Sequence, residues 1–167
     1  MDEILIPEWI KKIKAENDSE LAKSQANAQR LKVLALKIKY EGPELWKKLL
    51  KELDDATRAL SMIGIGGQIS TSSTRDEQVC RVDVQLQGAF PRMTHVNLFC
   101  APTSGNIRCC TGEGQASKFF FALQPDDVLG LTMEDCGIPV DPERAAQVIV
   151  QGMLTTLKSD VSCPAEL

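Results

Sequence analysis

The first third of the chain carries apolar residues at the three- and four-residue spacing of an amphipathic helix. This spacing links Leu21, Ala28, Leu31 and Ile38, with no glycine or proline between them. The pattern predicts a helix that ends at residues 41–43, Glu-Gly-Pro. Glycine accepts a left-handed cap there, and proline cannot continue the hydrogen-bond ladder.

A second helical stripe follows directly after this break. Its apolar members are Leu45, Trp46, Leu49, Leu50, Leu53, Ala56 and Leu60. Two helices separated by so short a break predict a helical hairpin or a sharply kinked pair. The two tryptophans, Trp9 and Trp46, are interpreted as packing residues of these helices.

From Gly64 onward the apolar period changes from the helical value to two. Residues 80–87 alternate strictly between apolar and polar side chains, which is typical of a half-buried antiparallel strand. Similar but less strict segments are predicted to form strands at 93–101, 107–111 and 117–123, with a weaker one at 64–71. Because short turns separate these segments, we expect a meander sheet of four to five antiparallel strands.

The sequence Asp141-Pro142-Glu143 predicts the start of a final helix. Aspartate is a preferred N-cap, and proline is favoured in the first turn. The segregation of helices from strands indicates an α+β fold with an N-terminal helical hairpin, the meander sheet and a C-terminal helix. We expect a single domain over residues 1–158, with a helical part at 1–63, the sheet and final helix at 64–158, and a flexible tail at 159–167.

The charge of the chain is divided between these two parts. The chain has 167 residues and a net charge of −4, with net +1 over residues 1–63 and net −5 over residues 64–167. An acidic chain of ordinary composition argues against a general or specific nucleic-acid binder. Residues 11–39 nevertheless carry eight basic side chains against three acidic ones. A basic helix of this kind meets acidic lipid or nucleic acid in some proteins. We favour a solvated helix face attracted to the acidic remainder, within the chain or across a dimer.

Six cysteines are too few for a disulfide scaffold of this length, and the N-terminus does not resemble a secretory signal. We therefore expect reduced thiols and a cytoplasmic protein. The single histidine and the absence of a Cys-x-x-Cys motif predict no bound metal, and no organic cofactor is expected. No apolar run is long enough for a transmembrane segment.

Strand parity predicts that one face of the sheet is polar. The residues expected to bind a ligand or partner on this face are Arg81, Asn97, Arg108, Lys118 and Phe120. The same parity places Cys110, His95 and Asp83 on this face, a combination that would form an acid-oriented, histidine-activated thiolate nucleophile. The same alternation of polar residues is also expected when a sheet face is simply exposed to water and binds nothing.

The helical stripes are longer than one small sheet can cover, and surplus stripes commonly form dimer contacts or protein-docking surfaces. The sequence therefore favours a binding or assembly module that self-associates as a homo-oligomer, or binds a protein partner, through its amphipathic helices or its sheet face. Two alternatives remain open. One is a small thiol-dependent enzyme that uses Cys110, His95 and Asp83. The other is a small-molecule sensor with an apolar ligand between sheet and helices, lined by Phe119, Phe121 and Met153.

Overall fold

The computed structural model describes residues 5–88, 91–101, 106–111 and 114–159. In this part of the chain, seven strands lie in sequence between helix α1 (Glu8–Met62) and helix α2 (Pro142–Ser159). The strands are β1 (Ile65–Ser73), β2 (Gln78–Leu86), β3 (Arg92–Cys100), β4 (Asn106–Thr111), β5 (Gly114–Leu123), β6 (Leu129–Met133) and β7 (Pro139–Val140). Neighbouring strands are antiparallel, and their order in the sheet is their order in the chain. The predicted α+β class and meander are confirmed.

The predicted helical hairpin is wrong, because α1 continues without a break through Pro43. Proline removes one helical hydrogen bond, but the ring of Pro43 lies on the exposed side of the helix. Gly42 is buried instead of capping a helix end. A Cβ atom there would lie 3.6 Å from Cγ2 of Ile38 and 4.0 Å from Cζ of Phe121. Gly42 therefore marks a close approach between α1 and the sheet, and this packing outweighs the local signal to stop.

The predicted number of strands was too low by two or three. The strand β7 has only two residues, which is too few for an alternating pattern to be read. The strand β6 has five residues that do alternate, Leu-Gly-Leu-Thr-Met, and the sequence-based prediction missed it. A tight turn joins the two strands, in which the backbone N–H of Gly137 donates to the carbonyl oxygen of Met133 at 2.9 Å. Gly137 has a φ of 64°, a conformation that glycine adopts at little cost.

Both helices pack on one face of the sheet, and one continuous core lies between the two layers. From the helices the core receives Trp46, Leu49, Leu53, Ala145, Ala146, Ile149, Val150, Met153 and Leu157. From the sheet it receives Cys80, Val82, Val84, Val96, Leu98, Cys100, Ile107, Cys109, Phe119, Phe121, Leu129 and Leu131. The sheet residues follow the two-residue period, which is why one face is apolar and the other remains open.

The C-terminal end of α1 lies directly against β1. A Cβ atom on Gly67 would lie only 2.9 Å from the carbonyl oxygen of Thr57, so glycine allows this approach. Thr57 is buried, and its hydroxyl donates to the carbonyl oxygen of Asp54 at 2.9 Å. The end of the long helix is thereby fixed on the first strand.

The start of the final helix is confirmed at Pro142. The Asp141 side chain accepts a hydrogen bond from the backbone N–H of Arg144 at 2.7 Å, as an N-cap does. The helix extends to Ser159, so the first residue of the predicted tail belongs to α2, and residues 160–167 lie outside the described part. Within the residues described, neither helix is long and apolar enough to cross a membrane.

Candidate functional site

The polar residues predicted to share a sheet face do lie on one face, opposite the helices. Arg81 pairs with Asn97, and Asn97 in turn pairs with Cys110 across three neighbouring strands. Asp83 pairs with His95 in the next row of the same face. This arrangement follows from the strict alternation in β2 and the less strict alternation in β3, because a shift of one residue would turn these side chains into the core.

The remaining predicted residues of this face lie on β4 and β5. Arg108 pairs with Lys118, although the side chain of Lys118 is outside the described part of the structure. Phe120 pairs with Asn106 and is half-buried, next to the fully buried Phe119 and Phe121. Their shared face agrees with the predicted strand parity, but it does not assign a ligand to these residues.

Both arginines of the open face already have partners. The Arg81 guanidinium lies 3.0 Å from the Asp83 carboxylate. The Arg108 guanidinium lies 2.6 Å from the Glu77 carboxylate and 5.4 Å from the ring centroid of Phe99. An anionic ligand would have to displace these carboxylates, so this face offers mixed charge and no ready anion site.

The three residues of the thiol hypothesis share the face without forming a hydrogen-bonded set. The Asp83 carboxylate accepts hydrogen bonds from Nε of Arg81 at 3.0 and 3.2 Å. Within the described residues, no hydrogen bond links His95 to Asp83 or to Cys110, and both His95 and Cys110 are half-buried. A histidine-activated thiolate requires contact between base and nucleophile. The catalytic roles of Cys110, His95 and Asp83 therefore remain untested predictions.

The thiols in the core are suited to packing and not to chemistry. Burial raises the pKa of Cys80 to about 12, with a smaller contribution from Cys109. Burial likewise raises the pKa of Cys100 to about 11, with the negative charge of Glu77 adding to it. Such thiols stay protonated near neutral pH and are weak nucleophiles and metal ligands. The residues that the structure covers bring together no group of three or more His, Cys, Asp or Glu side chains able to hold a metal ion.

The space between sheet and helices is mostly filled. Phe119, Phe121 and Met153, the predicted lining of a sensor pocket, are buried members of the core. A cavity beside Phe121 and Trp46 has a volume of only about 30 Å³. Pockets for organic ligands usually measure about 300–1,000 Å³. This cavity therefore gives the sensor hypothesis no support.

The largest unexplained feature is the first half of α1. We define residues 8–33 as the arm, because every side chain in this range is exposed, whereas the helix packs on the sheet from residue 34 onward. The arm is about 39 Å long at 1.5 Å per residue. Its exposed apolar side chains include Trp9 at 65%, Ile13 at 47% and Leu21 at 58% exposure.

A groove lies where the arm leaves the sheet. It is lined by Asn27, Arg30, Leu31 and Leu34 of α1 and by residues 120–123 of β5, and its volume is about 460 Å³. Nearby, the ammonium group of Lys37 donates a hydrogen bond to the backbone carbonyl oxygen of Asp127, which holds α1 on the turn that connects β5 to β6. Since Leu31 and Leu34 line this groove, the apolar stripe of α1 points toward the side of the helix on which the sheet lies.

The position of the arm was missed in the sequence analysis, although a surplus of apolar helix was expected. Trp46 is a core residue as predicted, but Trp9 is not packed in the described part. The signal available in the sequence was the combined length of the predicted N-terminal helices. The helix α1 has 55 residues and extends about 82 Å, whereas a strand of nine residues extends about 30 Å, so the sheet covers only part of the helix.

The fold and this site define a two-layer α+β protein from which half of a long helix projects. The chain matches no protein-family model, no curated protein and no solved structure. Its function is therefore argued from the contacts, exposure and charges described above.

Proposed function

We propose that this protein is an assembly module that self-associates through the arm. The observation that carries this proposal is that every side chain of residues 8–33 is exposed, including those of Trp9, Ile10, Ile13, Leu21 and Leu31. Isolated helices are marginally stable in water, and most helical stability in proteins comes from packing of an apolar face. A partner that covers the arm would supply this packing.

The charge of the arm favours a second copy over a nucleic acid or an anionic membrane. The arm has six basic and four acidic side chains, so it carries both signs and a net charge of only +2. For a phosphate-rich partner, the four carboxylates would offset most of the attraction of the six basic side chains. A second arm offers both signs in return, and the remainder of the chain from residue 64 adds a net charge of −5. We place the assembly in the cytoplasm, which the free thiols of Cys80, Cys100, Cys110 and Cys136 support.

The first prediction concerns the mass of the full chain in solution. Light scattering at micromolar concentration should give twice the chain mass of 18.3 kDa. The double variant Ile10→Asp with Leu21→Asp should weaken the association at least about 100-fold, because each buried aliphatic side chain contributes about 1.5–3 kcal/mol. Sedimentation over a concentration series measures this change.

A matched control places aspartate on the opposite side of the same helix. At 100° per residue, Ala15 and Ala26 point away from the stripe that contains Ile10 and Leu21. The variant Ala15→Asp with Ala26→Asp has the same change in charge and loses at least as much helix propensity, because alanine is the best helix former, and it should remain dimeric. A wild-type chain that is strictly monomeric at these concentrations would refute self-association. Equal effects of the two double variants would show that the arm does not pair through its apolar stripe.

A further inference from the structure

We infer that two arms pair in antiparallel orientation and that Leu5 and Ile6 of each chain enter the groove of the other. This inference rests on the proposed self-association and adds its orientation, its alignment and a second contact. It identifies the occupant of the groove as Leu5 and Ile6 of a second copy. These residues precede α1 and are 88% and 52% exposed.

The order of charges along the arm favours the antiparallel orientation. A basic block is followed directly by an acidic block. The basic block consists of Lys11, Lys12 and Lys14, and the acidic block of Glu16, Asp18 and Glu20. A parallel pair in register brings each block level with its own copy, so like charges repel. An antiparallel pair centred between residues 15 and 16 brings each basic block level with the acidic block of the other copy.

The same alignment also matches apolar residues. An antiparallel pair with this centre places Ile10 of one copy level with Leu21 of the other. Ile10 and Leu21 lie within about 20° of each other around the helix at 100° per residue, so the two Ile10–Leu21 contacts of the pair form on one side of the arm. The alignment obtained from charge alone therefore also brings the exposed apolar side chains together.

The groove lies where Leu5 and Ile6 of the partner would arrive. In this alignment Pro7 of one copy is level with residue 24 of the other. Pro7 is extended, with φ −57° and ψ 147°, and a residue before proline is restricted to extended conformations, so Ile6 is expected to be extended as well. At about 3.3 Å per extended residue, Leu5 reaches roughly the level of residue 28. The groove begins at Asn27 and continues to Leu34. It is thus in the right place to cover Leu5 and Ile6.

The orientation is tested by distances between spin labels in the full-length dimer. A ketone-bearing amino acid placed at Ala15 or Val33 carries the label, so the native cysteines remain unchanged. Both positions point away from the stripe. Antiparallel pairing predicts a short distance between the two labels at position 15 and an axial separation of about 50 Å at position 33. Parallel pairing predicts the same short distance at both positions.

The result separates this inference from the proposed function. Short distances at both positions would overturn the antiparallel orientation and leave self-association intact. A monomeric sample would overturn both. A long distance at position 33 together with a short one at position 15 supports the orientation and its centre.

The contact with the groove has its own prediction. The double variant Leu5→Asp with Ile6→Asp should weaken the dimer about tenfold or more, because two aliphatic side chains lose an apolar surface. Sedimentation measures the dissociation constant. The control is Met62→Asp, an equally exposed apolar position at the other end of α1, which should leave the constant unchanged. An N-terminal variant that dimerises as tightly as the wild type would exclude the groove as the binding site of Leu5 and Ile6.

Discussion

Replacing Phe119 with alanine is expected to lower the free energy of unfolding by about 3–5 kcal/mol. Phe119 is 1% exposed and lies in the middle of β5, where it pairs with Ile107 on one side and Met133 on the other. Its ring fills the space between the sheet and the two helices, and alanine would leave a cavity that the packed strands cannot close. Urea denaturation followed by circular dichroism measures the change.

The next residue along the strand supplies the control. Phe120 points to the open face and is half-buried, so Phe120→Ala removes the same atoms with much less loss of packing. We expect this variant to lose less than about 1.5 kcal/mol. Similar losses for the two variants would mean that the face of β5 is assigned incorrectly, because the assignment rests on the alternation between these neighbours.

The sheet was predictable from the sequence where alternation was strict and strands were long. Residues 80–87 gave the correct inward face for Cys80, Val82 and Val84, and the same parity placed His95 and Asn97 on the open face. Side-chain direction alternates along any strand, so a correct first residue fixes the others. The shared face of the candidate site residues was predictable for the same reason.

What the sequence could not reveal depends on contacts between distant residues. Gly42 and Pro43 carry a strong local signal to end a helix, yet Gly42 meets Phe121, nearly 80 positions along the chain. The ion pair between Arg108 and Glu77 likewise joins β4 to the turn that precedes β2. Local patterns contain no information on such pairs. The continuous helix and the ion pairs of Arg81 and Arg108 could therefore be seen only in the folded structure.

The projecting arm lies between these two cases. An amphipathic stripe longer than its sheet was visible in the sequence, and it justified the expectation of self-association. The stripe did not indicate which half would be covered, because Trp9 and Trp46 occupy similar positions in their helical patterns. The difference is set by where β1 begins. Gly67 lies against Thr57 and thus fixes the end of α1 on the sheet, which leaves the opposite end of the helix to project.

The stability of the fold should fall steeply above pH 9 because of the buried thiols. The pKa of Cys80 is raised from an ordinary value of 9.0 to about 12, and that of Cys100 to about 11, mainly by burial. Between pH 9 and these values the unfolded chain loses the thiol protons while the folded chain keeps them. Unfolding then releases protons, so the free energy of unfolding decreases as pH rises, by roughly 1 kcal/mol or more per thiol and pH unit.

The variant Cys80→Ala isolates the contribution of one thiol, because titration of lysine and tyrosine affects both proteins equally. At pH 8 the variant should be less stable than the wild type, since it loses a buried side chain. The deficit should shrink between pH 9 and pH 10.5, because only the wild type loses the stability linked to this proton. Urea denaturation in reducing buffer at each pH measures the difference. The exposed Cys136 serves as control, and Cys136→Ala should follow the wild-type curve. A deficit for Cys80→Ala that stays constant over this range would show that the core does not hold the Cys80 thiol in its protonated form.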